Sequence, residues 1–507
     1  MSNEANNKPQ QKQKSMMPEE EIFRQRKDKL TRLREEEGYD PFEQNRWEVK
    51  NTLKHIIDSY DSLKEEEWSE DIMQTAGRVM ILRRHGKTAF ATFEDGVSKM
   101  QICFQFDLLG EEKYTFFKKW VDAGDFLGVI GVAFRTQRGE LTLSVKDFRI
   151  LSKALRPMPE KWHGLKDTEI RYRQRYADML ANPEVRETFR KRTKIIQTFR
   201  KVLDAHDTLE VQTPVLSTIA GGANARPFIT HHNTLDLDMY LRIATELHLK
   251  RLVVGMMGRV YEIGQQFRNE GMDIKHNPEF TTLEVYWPFC NYEDMMDLAE
   301  EILVACADEV GSRVIDYQGI EINLNTPFRR VSMKELVKEH TEIDFETISD
   351  EDARKEAALR GLDVKPSQTR YEILPMFFEA FVEEKLIQPT FVTGYPTVIS
   401  PLAKRNKNNP NITDRFELFV NSWELANAFN ELNDPIDQRV RFEDQAKKKA
   451  EGDDESHPFD EDFVNALEYG LPPTSGMGIG IDRVIMLLTN SKSIKDVILF
   501  PTMKPKE

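Results

Sequence analysis

The sequence predicts an α+β fold with two domains: a small β-barrel, followed by a larger domain of helices and hairpin-connected strands. Three observations lead to this prediction. Residues 72–152 contain short β-prone runs separated by turn residues. Residues 183–206 repeat apolar side chains at the spacing of a long amphipathic helix. Residues 280–287 largely alternate from one side chain to the next, as half-buried strands do.

The composition and the cysteine spacing predict a cytoplasmic protein that does not associate with membranes. Among the 507 residues, no apolar run approaches the roughly 20 residues that a membrane-spanning helix needs. The first eight residues lack the apolar segment of a secretory signal, and the three cysteines are far apart and not in metal-ligand spacing. The formal net charge of −15 argues against non-specific coating of nucleic acid but permits a local basic patch.

Residues 1–66 form the predicted amino-terminal extension. Residues 1–20 are rich in Asn, Gln, Lys and Pro, so we expect them to be disordered. Residues 21–37 predict a charged helix with a thin apolar stripe and a basic run. This helix face is either simply solvated or an auxiliary contact to RNA.

Residues 67–155 predict an OB-type barrel. A helical stretch at residues 112–121 lies between the third and fourth of five runs, which is the OB pattern. The runs cover residues 76–82, 88–93, 99–106, 126–135 and 141–150. Such barrels bind single-stranded nucleic acid by stacking bases on aromatic rings beside cations. Around the first hairpin, Arg83, Arg84, Lys87 and Phe90 supply these groups, although a purely structural barrel is the alternative.

The larger domain is predicted at residues 183–507, after a linker at residues 156–182. Its first helix leads into a short strand that ends at Pro214, an arrangement plausible for a subunit interface. Residues 333–390 read as mostly helical and resemble an insertion of unassigned role.

The most informative stretch is the strand at residues 280–287 with the loop before it. Alternation directs Phe280, Glu284 and Tyr286 to one face, and Leu283, Val285 and Trp287 to a core face. Arg268 precedes the loop, and a guanidinium suits a phosphate or carboxylate. The pattern favours a cleft that holds a nucleotide beside a cationic ligand. The alternative is a pair of surface strands with scattered charges.

Residues 415–431 predict an acid-rich β-hairpin that turns near Asn421. Glu417 and Glu424 lie on facing strands, where their oxygens suit a hard divalent cation. Because Glu424 and Asn427 have opposite parity, one pocket for both requires a bulge or a strong twist.

Residues 476–483 (GMGIGIDR) place alternating glycines in a strand that leads into an apolar helix. Such glycines leave a flat floor for a ring or allow another backbone to approach. The strand ends at Arg483, near a helix start where anions are favoured. A structural glycine kink is the alternative.

Four longer strings resemble the class II lysyl-tRNA synthetases. They are GGANARPFITHHN at 221–233, LRIATELHLKR at 241–251, FRNEG at 267–271 and GLPPTSGMGIGIDR at 470–483. The resemblance covers roughly residues 20–505. It implies an amino-terminal OB domain that binds the anticodon, and an antiparallel-sheet catalytic domain flanked by helices. The implied activity converts lysine and ATP to lysyl-adenylate and pyrophosphate, and then transfers lysine to the 3′ end of tRNA(Lys).

The resemblance also implies site residues, ligands and partners. By position it assigns ATP to Arg268, His276, Phe280, Glu417 and Arg483, with Arg268 and Arg483 as the catalytic pair. It assigns magnesium, more than one ion, to Glu417 and Glu424. Lysine is assigned to Gly222, Glu246, Arg268, Glu284, Tyr286, Asn427, Phe429 and Glu431, and the anticodon to Arg84, Phe90, Gln101 and Glu140. A homodimer is implied, through residues 183–216.

Three other functions compete with this one. An aspartate or asparagine enzyme needs cationic or amide groups for its substrate side chain, and Glu284 with Glu431 argues against that. A ligase that attaches lysine to a protein lacks the barrel predicted here. A catalytically silent tRNA-binding relative is disfavoured because Arg268, Glu417, Glu424 and Arg483 are all present.

Overall fold

The structure is a computed structural model that describes residues 18–158, 165–219, 221–223, 225–450 and 459–505, with the backbone alone for 448–450. The disorder expected for residues 1–17 lies outside the described residues, whereas Glu19 and Glu20 already belong to the first helix. The chain divides into two compact units, Met1–Gly164 and Leu165–Glu507.

The first unit is built on a closed barrel of five strands, as predicted. In order, its elements are α1 (Glu19–Glu37), α2 (Leu53–Tyr60), β1 (Met73–His85), β2 (Thr88–Glu94), β3 (Lys99–Gln105), α3 (Phe106–Trp120), β4 (Phe126–Arg135) and β5 (Leu141–Ser152). The strands close in the order β1-β2-β3-β5-β4. Phe93, Phe104 and Phe117 are fully buried between the strands and α3, so apolar burial stabilises the closed barrel.

Helix α1 packs on the barrel through its apolar stripe and its cations. Leu33 is buried in the barrel core. The Lys29 ammonium lies 2.8 Å from an Asp122 oxygen, and the Arg26 guanidinium donates to the Ala154 carbonyl at 2.8 Å. Part of the predicted basic run is therefore used within the unit.

The second unit begins with helices and four short strands, which precede the first long β-hairpin. These elements are α4 (Thr168–Arg173), α5 (Arg175–Ala181), α6 (Pro183–Ala205), β6 (Leu209–Glu210), β7 (Leu216–Ser217), β8 (Ile229–His232), β9 (Leu237–Leu241), α7 (Glu246–Val254), β10 (Val260–Phe267) and β11 (Glu279–Pro288). Strands β10 and β11 pair antiparallel across the predicted loop.

The remainder of the unit completes the sheet and covers it. It contains α8 (Tyr292–Val310), β12 (Val314–Tyr317), β13 (Ile320–Asn323), β14 (Arg329–Ser332), α9 (Met333–Thr341), α10 (Asp350–Leu359), α11 (Arg370–Phe381), β15 (Thr390–Thr393), β16 (Arg415–Val420), β17 (Trp423–Asn430), α12 (Pro435–Ala450), α13 (Glu461–Glu468), β18 (Thr474–Gly480), α14 (Ile481–Leu488) and α15 (Ile494–Val497). Helices α9 to α11 form their own apolar cluster around Phe377.

The main sheet runs in the order β14-β15-β16-β17-β18-β11-β10-β6. Within this sheet, as far as its strands are described, the inner pairs are antiparallel and the edge pairs β14-β15 and β10-β6 are parallel. Leu283, Val285 and Trp287 lie in the main core with residues of α6, α8 and α14, as the alternation predicts. The other face of the central strands is left open to a cleft. Within the described residues, no helix combines the length and apolarity that crossing a membrane requires.

Candidate functional site

A cleft of about 460 Å³ lies on the polar face of β11, β17 and β18. Most of the site residues predicted for this unit line it: Gly222, Glu246, Arg268, His276, Phe280, Glu284, Tyr286, Glu424, Asn427, Phe429 and Arg483. Glu417 pairs with Asn427 across the hairpin, and Glu431, 1% exposed, lies against Gly476, which lines the cleft. The structure therefore brings together residues that are more than 250 positions apart in sequence.

Phe280, Glu284 and Tyr286 form one row along β11, as expected from alternation. The Tyr286 hydroxyl donates to Glu284 at 3.0 Å, and the Thr245 amide donates to the same carboxylate at 3.4 Å. Burial, and then the charge of Glu246, raises the pKa of Glu284 to about 7. This carboxyl is thus poised to lose a proton when a cation enters.

Arg268 lies at the centre of the cleft, directly after β10. Its amide donates to the Pro278 carbonyl at 2.9 Å, which closes the base of the β10-β11 loop. Its guanidinium carbon is 5.1 Å from the centre of the Phe280 ring. Burial lowers the pKa of Arg268, although Glu270, Glu424 and Glu284 oppose that shift. The buried Nε has no hydrogen-bond partner among the described atoms, so the site provides an unused donor for an anion.

A β-bulge brings the hairpin acids to one face. Glu417 pairs with Asn427 and Leu418 with Ala426, but the next pair is Phe419 with Glu424. Leu425 is therefore the extra residue, and it returns Glu424 to the face of Asn427. Asn421 and Ser422 form the turn with φ values of 53° and 58°. The bulge that the parity conflict required is present.

Glu417 is held in place by two neighbours. Its carboxylate accepts a hydrogen bond from Arg415 Nη2 at 2.6 Å and another from the Tyr395 hydroxyl at 2.8 Å. Arg415 also donates from Nε to Asn427 at 3.1 Å, which fixes the amide beside the carboxylate. Burial, and then the charge of Glu424, raises the pKa of Glu417 despite Arg415.

These two acids suit a divalent cation only together with further oxygens. The described residues contain no cluster of three or more His, Cys, Asp or Glu side chains arranged for a metal. The mutual charge effect of Glu417 and Glu424 is the repulsion that a cation would relieve. Two carboxylates leave ligand positions for phosphate oxygens and water, which magnesium prefers. The donor set therefore fits a metal that arrives with a phosphate ligand.

The far end of the cleft is cationic. Arg483 donates to the Glu424 carbonyl at 2.6 Å, and its other amino group lies 3.3 Å from His276 Nε2. His276 Nδ1 is 2.7 Å from an Asp273 oxygen. Between Arg483 and Arg268, a side chain added at Gly478 would meet nothing within 4 Å, so this part of β18 forms an open floor.

The near end of the cleft is acidic and enclosed. Gly222 has a φ of 92° and lies against the first turn of α7, where a Cβ would be 3.3 Å from that of Glu246. Glu246 and Glu431 both contact the ammonium group of Lys250, which is fully buried. Glu431 Oε1 is also buried and has no hydrogen-bond partner in the part of the chain described. Burial and the neighbouring acids raise the pKa of Glu431 above its ordinary range.

In the barrel, the structure places Arg84 on the other face of β1 from Phe90 and Gln101. Arg83 pairs with Phe90 in the β1-β2 ladder and donates to Gln101 at 3.4 Å. Gln101 donates to Thr142 at 3.0 Å, whose hydroxyl donates to the Glu140 carbonyl at 3.1 Å. Arg84 instead pairs with buried Ala89 and donates to the Val121 carbonyl at 2.6 Å. Successive strand residues alternate faces, so Arg83 shares the face of Phe90 and Gln101, and Arg84 does not.

Three residues that organise the cleft were not predicted from the sequence. Lys250 follows Glu246 by four positions on a helix, a spacing that signals a possible ion pair. Arg415 stands two residues before Glu417 on the same strand face, which also gave a usable signal. Tyr395 comes from the segment after β15, and nothing in the local sequence connects it with Glu417.

Comparisons with known proteins agree with both parts of the chain. Residues 167–504 match the class II tRNA synthetases (D, K and N), and residues 74–151 match the OB-fold nucleic acid binding domain. The lysine–tRNA ligase of Thermoanaerobacter pseudethanolicus is 51% identical over 488 residues, covering 96% of each chain. That of Syntrophomonas wolfei is 52% identical, covering 96% of this chain and 97% of the relative. That of Clostridium tetani is 49% identical, covering 97% and 99%.

Gly476 and Gly478 provide a matched test of the cleft geometry. A methyl group at Gly476 would collide with the Tyr286 ring and Glu431 Oε1, whereas Gly478 faces open space. We expect Gly476→Ala to lower the free energy of unfolding by about 1–3 kcal/mol, the usual cost of overpacking. Gly478→Ala should leave it unchanged or slightly higher. Thermal unfolding of both variants is the measurement, and equal losses would contradict the described contacts.

Proposed function

The chain belongs to the class II tRNA synthetases of the D, K and N type, and we propose that it is the lysine-specific member, a lysine–tRNA ligase. It activates L-lysine with ATP, releasing pyrophosphate, and transfers the lysyl group to the 3′ end of tRNA(Lys). The observation that carries the choice of lysine is the enclosed acidic end of the cleft. There, Glu431 has a buried oxygen without a partner beside Glu284 and Tyr286.

We assign the side-chain ammonium of lysine to Glu284, Tyr286 and Glu431. Burying an ammonium costs several kcal/mol unless it is paired. Two carboxylates and a phenol provide that pairing, and an uncharged side chain would leave the acids unpaired. We assign the α-ammonium to Glu246 with the backbone at Gly222. Asn427 and Phe429 complete the wall around the substrate.

In the first step, a lysine carboxylate oxygen attacks the α-phosphorus of ATP. The bond from that phosphorus to the oxygen bridging it to the β-phosphate breaks, and pyrophosphate leaves. The attacking group is already an anion, so no general base is required. We assign Arg268, with its unpartnered buried Nε, to the α-phosphate and the lysine carboxylate, where charge accumulates. Positioning and electrostatic stabilisation are the protein's main contributions.

The rest of the cleft suits the remainder of ATP. Phe280 stacks on the adenine, while His276 and Arg483 bind the far phosphates and Gly478 provides the floor. Glu417 and Glu424 would hold magnesium together with the phosphate oxygens. When bound, the metal neutralises charge on the phosphates of the leaving group.

In the second step, a hydroxyl of the terminal ribose of tRNA attacks the lysyl carbonyl carbon and loses its proton, the bond from that carbon to the phosphate oxygen breaks, and AMP leaves. We propose that the barrel, residues 67–155, reads the anticodon with Phe90, Gln101, Glu140 and Arg83, which replaces Arg84. Residues 156–182 form the linker and residues 183–507 the catalytic domain.

We propose that the enzyme is a cytoplasmic homodimer that associates through the region of residues 183–216. Exposed apolar side chains on and beside β6 and β7 support this interface. They are Leu209, Val215 and Leu216, with exposures of 51%, 43% and 43%. Apolar groups grouped on a surface are typical of contact sites.

The decisive test of the substrate is ATP–pyrophosphate exchange measured separately with lysine, aspartate and asparagine. We expect exchange with lysine alone, because the enclosed end of the cleft is acidic. Exchange driven by aspartate or asparagine, or none with lysine, would contradict the assignment. Charging of tRNA(Lys) transcript in the same preparation distinguishes a complete synthetase from a protein ligase or a silent relative.

Arg83 and Arg84, neighbours on opposite faces of β1, provide a matched pair of variants. Arg83→Ala removes a cation from the face of Phe90 and Gln101, so we expect KM for tRNA(Lys) to rise by roughly 10-fold. Arg84→Ala removes a cation from the opposite face and should change that KM by less than about 2-fold. Exchange without tRNA should be unaffected in both. A larger effect from Arg84→Ala than from Arg83→Ala would restore the sequence-based assignment.

A further inference from the structure

Lys250 is a fully buried cation that has no role in either of the two proposed reaction steps. It lies one turn into α7, with its ammonium 2.6 Å from Glu246 Oε1 and bonded to Glu431 Oε2. The rings of Phe429 and Phe463 lie 5.8 Å and 5.4 Å from it. Apolar rings and two carboxylates therefore surround the ammonium, which is shut off from solvent.

The surroundings differ from those of an ordinary buried ion pair. A pair balances one cation with one anion, but here one ammonium serves two carboxylates, and Glu284 is a third acid close to Glu246. Each carboxylate that faces the cleft without a cation carries a large desolvation penalty. An arrangement that only stabilised the fold would not leave this excess of negative charge buried.

The charges match one molecule of lysine. When all three are ionised, as they are beside bound ammonium groups, Glu246, Glu284 and Glu431 contribute three negative charges, and Lys250 removes one, leaving two. Free lysine brings two ammonium groups to this end of the cleft, while its carboxylate goes to Arg268. With Lys250 present, the loaded pocket is neutral. Without Lys250, one acid would remain unpaired beside the substrate.

The geometry links the two ends of the substrate. Lys250 connects Glu246, which we assign to the α-ammonium, with Glu431, which we assign to the side-chain ammonium. Because the Lys250 ammonium occupies Glu431 Oε2, the unpartnered Oε1 is the oxygen left for the substrate.

We propose that Lys250 is a positioning residue that sets the charge of the amino-acid pocket and orients Glu246 and Glu431 toward the two ammonium groups of lysine. This inference rests on the proposed lysine specificity. Lys250 acts without touching the substrate, through two carboxylates that do.

The protonation of the groups agrees with this role. Burial lowers the pKa of Lys250, but Glu246 and Glu431 outweigh it, and the net shift is upward. Lys250 therefore stays charged. The pKa of Glu431 is nevertheless raised, because burial, Glu246 and Glu284 outweigh the single ammonium. The empty pocket still lacks positive charge, which the substrate supplies.

The first test is Lys250→Met in the full chain, with KM for lysine and for ATP measured by pyrophosphate exchange. We expect KM for lysine to rise at least ~10-fold and KM for ATP to change less than about 2-fold. The matched control is Arg251→Met, since Arg251 is the next residue of α7 but pairs with Asp460 and Asp462 away from the cleft. It should leave both KM values near those of the parent protein. A parallel rise of both KM values in Lys250→Met would overturn the proposal.

A second test depends on the direction in which KM for lysine changes. It does not require the single variant Lys250→Met to fold. In Glu431→Gln the pocket retains two acids and Lys250, a net charge of minus one, so KM for lysine should rise. Adding Lys250→Met to Glu431→Gln restores minus two, and KM for lysine should then fall toward the parent value. A purely structural lysine predicts a further rise or no change, and either result contradicts the proposal. If the parent protein shows no lysine-dependent exchange, the proposed function itself fails, which is a distinct outcome.

Discussion

Glu246, Glu284 and Glu431 are crowded into one enclosed end of the cleft, and their repulsion is the constraint on which the local architecture depends. Three buried carboxylates repel one another and lose hydration, so they remain ionised only where cations or donors reach them. The chain provides Lys250, the Tyr286 hydroxyl and the Thr245 amide. These partners are too few, and the pKa of Glu284 accordingly rises to about 7. We propose that this deficit is the physical basis of selection for an amino acid with two ammonium groups.

Two departures from regular sheet structure position the polar groups. At Gly476 the absence of a side chain lets the Tyr286 ring and Glu431 approach the backbone of β18. At Leu425 the bulge turns Glu424 toward Glu417, where Arg415 and Arg483 lie nearby. The first departure builds the proposed ammonium site, and the second builds an acid pair suited to a metal with phosphate. Arg268 also lines the cleft, and we assign it to the junction of lysine and ATP.

Much of the fold follows directly from sequence pattern, because the patterns were local. The alternation of residues 280–287 identified the core face and the cleft face correctly, and the five barrel strands were found. The parity conflict at Glu424 called for a bulge or a strong twist, and the structure has the bulge, at a position that the sequence did not predict. Roles such as adenine stacking by Phe280 came from resemblance to a family, since alternation establishes a shared face and no more.

The residues that escaped prediction are those whose meaning depends on distant partners. In the sequence Lys250 is one cation among many. In the structure its ammonium donates a hydrogen bond to Glu431, which is 181 positions away. The hydroxyl of Tyr395, which lies in the connection between β15 and β16, donates a hydrogen bond to Glu417. Arg84 was assigned to the anticodon by resemblance alone, whereas the face of β1 that a side chain occupies depends on one residue of register, which pairing with β2 fixes.

Proton release on lysine binding tests the central claim most directly. Burial, and then the charge of Glu246, raises the pKa of Glu284 to about 7, so the free pocket holds protonated Glu284 carboxyl near neutral pH. An incoming ammonium favours the ionised form, so calorimetric titration of the protein with L-lysine in buffers of different ionisation enthalpy should reveal net release of protons. Binding without proton exchange, or with proton uptake, would contradict a pocket that awaits positive charge.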